Sequence, residues 1–170
     1  HGGSAGPLRD GKGTTFEGGQ RVPCVMRGPG IPAGTTCDGL TGTIDVLPTI
    51  AAITHKPLPK EKKIDGMDVS ALWMGKAEDS PRDEFVHYTS RGDLEGLRQN
   101  NWKLLVKKPR GRNNPQQNPS QVLLFDLSKD LAEQNNLAEE HPDVVDRLRK
   151  RMEELDAEIT ANAREPWLKK

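Results

Sequence analysis

The chain has 170 residues, enough for one core or for one substructure and part of another, since domains usually run to about 100–200 residues. Its 25 basic residues balance 25 acidic ones, so no net field draws it to nucleic acid or to an anionic membrane, and neither partner is expected. No apolar run approaches the roughly 18–20 residues that span a bilayer.

Opening on His1 and a glycine-rich stretch, with no Met and no preceding element, the chain reads as a piece cut from a longer polypeptide. Gly6 and the pair Gly11-Lys12 reproduce the start of the phosphate-binding pattern G-x-x-x-x-G-K-[ST], but Gly13 stands where the magnesium-binding hydroxyl belongs. No Val/Ile-rich strand feeds this loop and no helical run leaves it, so an NTPase is not expected. What remains is a lysine between two glycines. Gly11 and Gly13 let the backbone approach a ligand without a Cβ in the way, and Lys12 then presents a compact positive charge to an anion. Taken alone, the same three residues also read as a solvated turn.

Val22 to Met26 is a short apolar stretch, expected as an edge strand or as one beginning at Pro23, which has no N–H to give a ladder. "GPGIPAG", Gly28 to Gly34, is a turn region. Cys24 and Cys37 are too few for a disulfide framework and too widely spaced for a C-x-x-C zinc hook; they read as a pair in an oxidising compartment or as buried thiols. "TIDVLPTIAAI", Thr43 to Ile53, predicts a short buried helix with Thr43 as its cap and Ile44, Leu47, Ile50 and Ala51 on one face. Asp45 lies near its start, where a carboxylate meets the helix dipole favourably. Ser70 is expected to cap a single turn through Leu72 and Trp73.

After Ser80 the pattern changes. "EFVHY" (Glu84 to Tyr88), "NWKLLVKK" (Asn101 to Lys108) and "VLLFDL" (Val122 to Leu127) predict three strands of a small antiparallel sheet. In the second, Trp102, Leu104 and Val106 fall on one face and Lys103 and Lys107 on the other, which predicts one packed face and one wet face. Pro109 to Ser120 is a long polar connection. In the last element Pro142 suits a first helical turn, and Val145, Leu148, Met152, Leu155 and Ile159 form an apolar stripe that should pack on the sheet. His87, Tyr88 and Arg91, at and after the end of the first strand, are candidates for selecting the organic part of a ligand, because strand-end loops often carry specificity, and they also read as a surface strand end.

The longer string "GPLRDGKGTTFEGGQRVPCVMRGPG", followed by "TIDVLPTIAAI", "IDGMDVSALWMG", "SPRDEFVHY", "LRQNNWKLL" and "LLFDLSKDLAEQNNLAEEHPDVVDRL", resembles the C-terminal part of the sulfatase family, the arylsulfatases, in order and spacing. The resemblance covers nearly the whole chain. It implies an α/β fold of the alkaline-phosphatase-like superfamily, α+β within this segment, with residues 1–79 closing the large domain and residues 80–170 forming a small antiparallel sheet packed by a C-terminal helix. It also implies a formylglycine nucleophile and a calcium ion, both supplied upstream of His1, so that no metal ligand and no nucleophile is expected in this segment, which alone should be inactive.

Of the family's site residues only Lys12 carries over, as the lysine that contacts the sulfate; Glu17 and Arg21 inside the same motif are expected to anchor the loop as a charge pair. The implied partners are a sulfated small molecule or sulfated glycan and the N-terminal part of the same sulfatase, and the implied setting is periplasmic, secreted or lysosomal. Two other readings stand beside this one: a phosphonate or phosphate monoester hydrolase of the same superfamily, and a non-catalytic structural or interaction module. Deprived of a preceding half, the segment through Ile53 is expected to leave apolar surface exposed.

Overall fold

The computed structural model describes residues 3–61, 63–108 and 120–164. The polar connection expected from Pro109 lies, up to residue 119, outside the described residues. Contacts divide the chain into two units: residues up to Val22 group with those from Glu84 onward, and Pro23–Asp83 form the other. The residues before Pro23 thus side with the sheet, and the chain returns to that unit at Glu84.

In the first unit, strands β1 (Glu84–Tyr88), β2 (Leu94–Gln99), β3 (Trp102–Lys107) and β4 (Gln121–Asp126) form a four-stranded antiparallel meander in the order β1-β2-β3-β4. Three of these were legible as apolar β-rich runs. The additional strand, β2, reads "LEGLRQ", and its Glu95, Gly96 and Arg98 mask the pattern. It is set by its neighbours, pairing Leu97 with both Val86 and Leu104, and by a two-residue turn in which Asn100 takes a left-handed backbone at φ +52°, a conformation Asn tolerates.

One face of the sheet carries Val86, Leu97, Trp102, Leu104 and Leu124, and packs on Val145, Leu148 and Met152 of helix α4 (Pro142–Ala161). The stripe expected on α4 is therefore the one that is buried, down to Met152; Ile159, near the last turn, is exposed. Fully burying each of these leucines is worth about 1.5–3 kcal/mol. Polar ties fix the helix across β1: Arg151 donates to Glu84 through Nε (2.9 Å) and Nη2 (2.8 Å), and Tyr88 donates its hydroxyl to Asp156 (2.8 Å).

The opposite face is not wet. Phe16, Leu105, Phe125 and Leu127 form a second core there, and Lys103, expected in solvent, is 0% exposed. Residues 9–17 lie over that face, and the covering helix α1 (Glu17–Gln20) is a single turn.

The Pro23–Asp83 unit holds a 3₁₀ turn (Thr43–Asp45) running into α2 (Val46–Ile53), and α3 (Ser70–Trp73). Here the expected polarity of the helix is reversed. Asp45, Pro48 and Thr49 are buried, whereas Ile44, Leu47 and Ile50 are exposed, Leu47 by 56%. The reason is the chain that crosses the other side. A Cβ on Gly66 would lie 2.0 Å from the Ile44 carbonyl oxygen, so residues 66–69 run against that surface; Thr49 Oγ1 accepts from Val69 N–H (3.0 Å).

Asp45 ties the unit together rather than merely facing the helix dipole. It accepts from Gly42 N–H (2.8 Å), Met67 N–H (2.8 Å) and, on both oxygens, from Arg82 (2.8 and 2.5 Å). Burial works against its charge, but these hydrogen bonds and the Arg82 guanidinium outweigh it and hold the carboxyl below its ordinary range. Ser70 does not cap α3 as expected: it is the first helical residue, the cap position is Val69 with no side-chain cap bond, and the Ser70 N–H donates to Asp68 Oδ1 (2.9 Å). Val22 to Met26 forms no strand and is exposed, because no described strand lies alongside to complete its ladder. Cys24 and Cys37 are exposed and unpaired, which sets aside both the disulfide and the buried thiol.

Candidate functional site

The Gly11-Lys12-Gly13 loop is closed on itself before it meets the sheet. Gly18 N–H donates to the Arg9 carbonyl (3.0 Å), Thr14 N–H to the Gly11 carbonyl (3.2 Å), and Gln20 Nε2 to the Thr14 carbonyl (2.9 Å). The glycines of "EGGQ" are what allow this. A Cβ on Gly18 would lie 2.4 Å from the Asp10 carbonyl oxygen and one on Gly19 only 2.3 Å from that of Thr14, closer than any real Cβ contact. Lys12 sits at the tip of the turn, exposed, with Gly13 at φ +94°.

Three contacts fasten this loop to the sheet. Phe16 enters the second core, 6.5 Å from the Phe125 ring, with the Arg9 guanidinium and the Lys107 ammonium 4.0 and 4.3 Å from its centroid. Thr15 Oγ1 donates to Glu95 Oε2 (2.5 Å), a carboxylate that also faces Lys107 Nζ at 3.4 Å. Glu17 makes the third. Its Oε1 accepts from Lys103 Nζ (2.7 Å) and its Oε2 from Arg21 Nε (2.6 Å), and its N–H donates to Glu133 Oε2 (2.7 Å). Lys103 Nζ lies 2.9 Å from Glu133 Oε1 as an ion pair without hydrogen-bond alignment.

The expected charge pair of Glu17 and Arg21 is thus present, but Lys103 is Glu17's buried partner. Burial alone would raise the Glu17 pKa; the charge and hydrogen bond of Lys103, joined by Arg21, outweigh it and hold the carboxyl at about 2. Glu133 also gives its carbonyl to Arg9 Nη1 (2.6 Å) and holds a left-handed backbone at φ +53°.

His87 lies in β1 and Arg91 in the turn that follows it. Arg91 is exposed in the β1–β2 turn, whose Gly92 N–H donates to the Thr89 carbonyl (2.9 Å). His87 is 4% exposed in β1 on the Lys103 face, 5.5 Å from the Phe85 ring, and neither ring nitrogen has a hydrogen-bond partner among the described residues. Burial, reinforced by the positive charges of Lys103 and Arg98 and opposed by Glu17, pushes its pKa down to about 3, so the ring is neutral.

Lys103, Glu133 and Glu95 were missed in the sequence. Strand alternation placed Lys103 in solvent, and Glu133 stands in an irregular stretch whose only signal is its charge. Among the described residues no three His, Cys, Asp or Glu side chains gather to hold a metal ion. The buried carboxylates Glu17, Glu133 and Asp45 are engaged by Lys103 or Arg82 and do not suit a calcium ligand set.

Residues 80–165 match the family model for the C-terminal region of aryl-sulfatase. Among curated proteins the chain is similar to mouse (Mus musculus) steryl-sulfatase, 33% identical over 183 residues that cover 95% of this chain and 29% of that protein. Among solved structures, one from Bacteroides thetaiotaomicron, described with the metabolism of multiple glycosaminoglycans, superposes with a TM-score of 0.77 at 27% identity, covering 89% of this chain and 32% of that one. The crystal structure of Ps i-CgsB in complex with k-i-k-neocarrahexaose superposes with a TM-score of 0.71 at 25% identity, covering 88% and 32%. The chain therefore spans 29–32% of the length of these relatives.

Proposed function

Because the chain belongs to the sulfatase family, with the fold of the C-terminal part of an alkaline-phosphatase-like sulfatase, we propose that it is the segment of a sulfuric ester hydrolase that brings Lys12 to the sulfate of a sulfate monoester. The observation that carries this reading is the Lys12 loop: an exposed ammonium on a turn whose backbone is closed by Gly18 and Gly19 and fastened to the sheet through Thr15, Phe16 and Glu17. As an ester S–O bond breaks, negative charge grows on the sulfate and leaving oxygens. A cation held in place beforehand lowers that barrier without reorganising during reaction.

The formylglycine nucleophile and the calcium ion that the family reading implies would lie outside this chain and, when present, would supply attack on sulfur and orientation of the sulfate oxygens. This chain's own part is narrower. Lys12 binds and neutralises the anion, and the clamped loop fixes the ammonium's position. In this reading residues 1–79 close the large domain, and this segment alone does not turn over substrate.

The proposed substrate is a sulfated small molecule or a sulfated glycan. Arg91, exposed on its turn, is the proposed contact to the organic part; His87, buried and neutral, offers a ligand neither charge nor exposed surface. The test is turnover of an aryl sulfate by the full-length polypeptide with calcium present, comparing wild type with Lys12→Ala at matched folding. Loss of one such contact costs about 2.7–4 kcal/mol, on the order of 10²–10³ in kcat. Equal turnover in both would make the loop structural and overturn the reading.

A further inference from the structure

We propose that Lys103 is the positioning residue of the Lys12 loop, acting through Glu17 and Glu133 and never touching substrate; the inference rests on the reading of Lys12 as the sulfate contact. Taking an ammonium out of water is costly, and the packing of β3 does not call for a cation, since Leu105 and Phe125 on the same face are apolar. On the face packed on α4 the fully buried strand positions are Leu97, Leu104 and Leu124, none of them charged. A fully buried lysine in β3 therefore serves something other than burial.

Its two carboxylates come from two separate segments. Glu17 ends the loop, and Glu133 stands in the turn after β4, so that Lys103 joins three stretches of chain at 2.7 and 2.9 Å. Glu133 in turn holds both ends of the loop. Its carboxylate accepts from Glu17 N–H (2.7 Å), while its carbonyl accepts from Arg9 Nη1 (2.6 Å). Residues 9 and 17 are thereby clamped on a single residue, with Lys12 between them. That residue is itself kept at φ +53°, a backbone an L side chain adopts only when its surroundings fix it, and Lys103 is the charge that neutralises its buried carboxylate.

Directional charged contacts set a register that apolar packing leaves loose, and a displacement of about 1 Å at a reacting centre is enough to cost on the order of 10²-fold in rate. The clamp thus fixes where Lys12 stands in addition to any stability it lends the sheet unit.

The test uses the full-length polypeptide, with kcat and KM for an aryl sulfate and amide hydrogen exchange at Thr14, Gly18 and Gly19 as parallel readouts. Lys103→Met is expected to speed exchange at those amides at least tenfold and to lower kcat by about 10²-fold with KM little changed. Glu133→Gln, which keeps an acceptor for Glu17 N–H but loses the charge, should fall between wild type and Lys103→Met. Leu148→Ala removes core volume on the opposite face and should leave loop exchange and kcat unchanged. Unaltered exchange in Lys103→Met, or an equal loss of kcat in Leu148→Ala, would overturn the proposal. If Lys103→Met fails to fold, unaltered exchange in Glu133→Gln overturns it by itself. Full activity in Lys12→Ala together with fast loop exchange in Lys103→Met would refute the sulfate contact while supporting the clamp.

Discussion

Glu17 makes the sheet unit acid-labile through one titration, and the size of the effect follows from its surroundings. Its carboxyl is held at about 2 against an ordinary value of 4.5, because the charge and hydrogen bond of Lys103, with Arg21, overcome burial. A gap of roughly 2.5 pH units at about 1.36 kcal/mol each gives on the order of 3 kcal/mol. The folded pKa is the lower one, so this stability is fully present above 4.5 and is lost as pH falls toward 2. Glu17→Gln removes the titration and leaves the Lys103 ammonium with Glu133 alone. The assay is a urea titration at several pH values, followed by the NMR amide signals of β3 so that the sheet unit is read by itself. Wild type should exceed Glu17→Gln by about 3 kcal/mol at pH 7, and the difference should shrink below 4.5 and approach zero near 2. A difference that stays constant across that range would refute the coupling between Glu17 and Lys103.

Gly19→Ala puts a methyl group 2.3 Å from the Thr14 carbonyl and should open the Lys12 turn, costing about 1–3 kcal/mol in sheet-unit stability and lowering aryl-sulfate turnover; stability and activity unchanged from wild type would show that the turn yields freely. Asp45→Ala removes the carboxylate that pairs with the buried Arg82 guanidinium and leaves the Gly42 and Met67 amides without that acceptor, for a loss of about 3–5 kcal/mol in the Pro23–Asp83 unit, read by the exchange of α2 amides under increasing denaturant. His87 stays neutral in the fold down to about 3 but takes up a proton near 6.5 when unfolded. Stability should therefore fall by about 1.4 kcal/mol per pH unit as pH drops below 6.5, and His87→Leu should remove that slope; the same slope in the variant would exclude His87 as its source.

What the residues disclosed in advance is what local periodicity encodes. β1, β3, β4 and α4 announce themselves because each buries one apolar face, and Trp102, Leu104, Val106, Val145, Leu148 and Met152 keep the expected step. β2 carries Gly96 and two charges on its short length and becomes a strand through pairing on both sides, information held by β1 and β3. The same limit explains Lys103. Alternation correctly places it opposite Leu104, but whether that side meets water depends on residues 9–17, far away in sequence, and on Glu133 from a turn without periodicity.

The α2 stripe errs in the other direction. Ile44, Leu47 and Ile50 share a face as read, yet none of the described residues of their unit buries that face, because residues 66–69 and Arg82 meet the helix on its Asp45 and Thr49 side. Periodicity specifies which residues lie together and says nothing of what covers them. At the Lys12 loop this separation has a functional consequence. "GKGTTFEGG" displays the exposed lysine and the glycines that close its turn, so the part proposed to face the sulfate is legible as a string, while the side chains that fasten the loop come from β3 and from Glu133. A substitution at Lys103 would look like a surface change in the sequence and act in the fold as a change to the base of the loop.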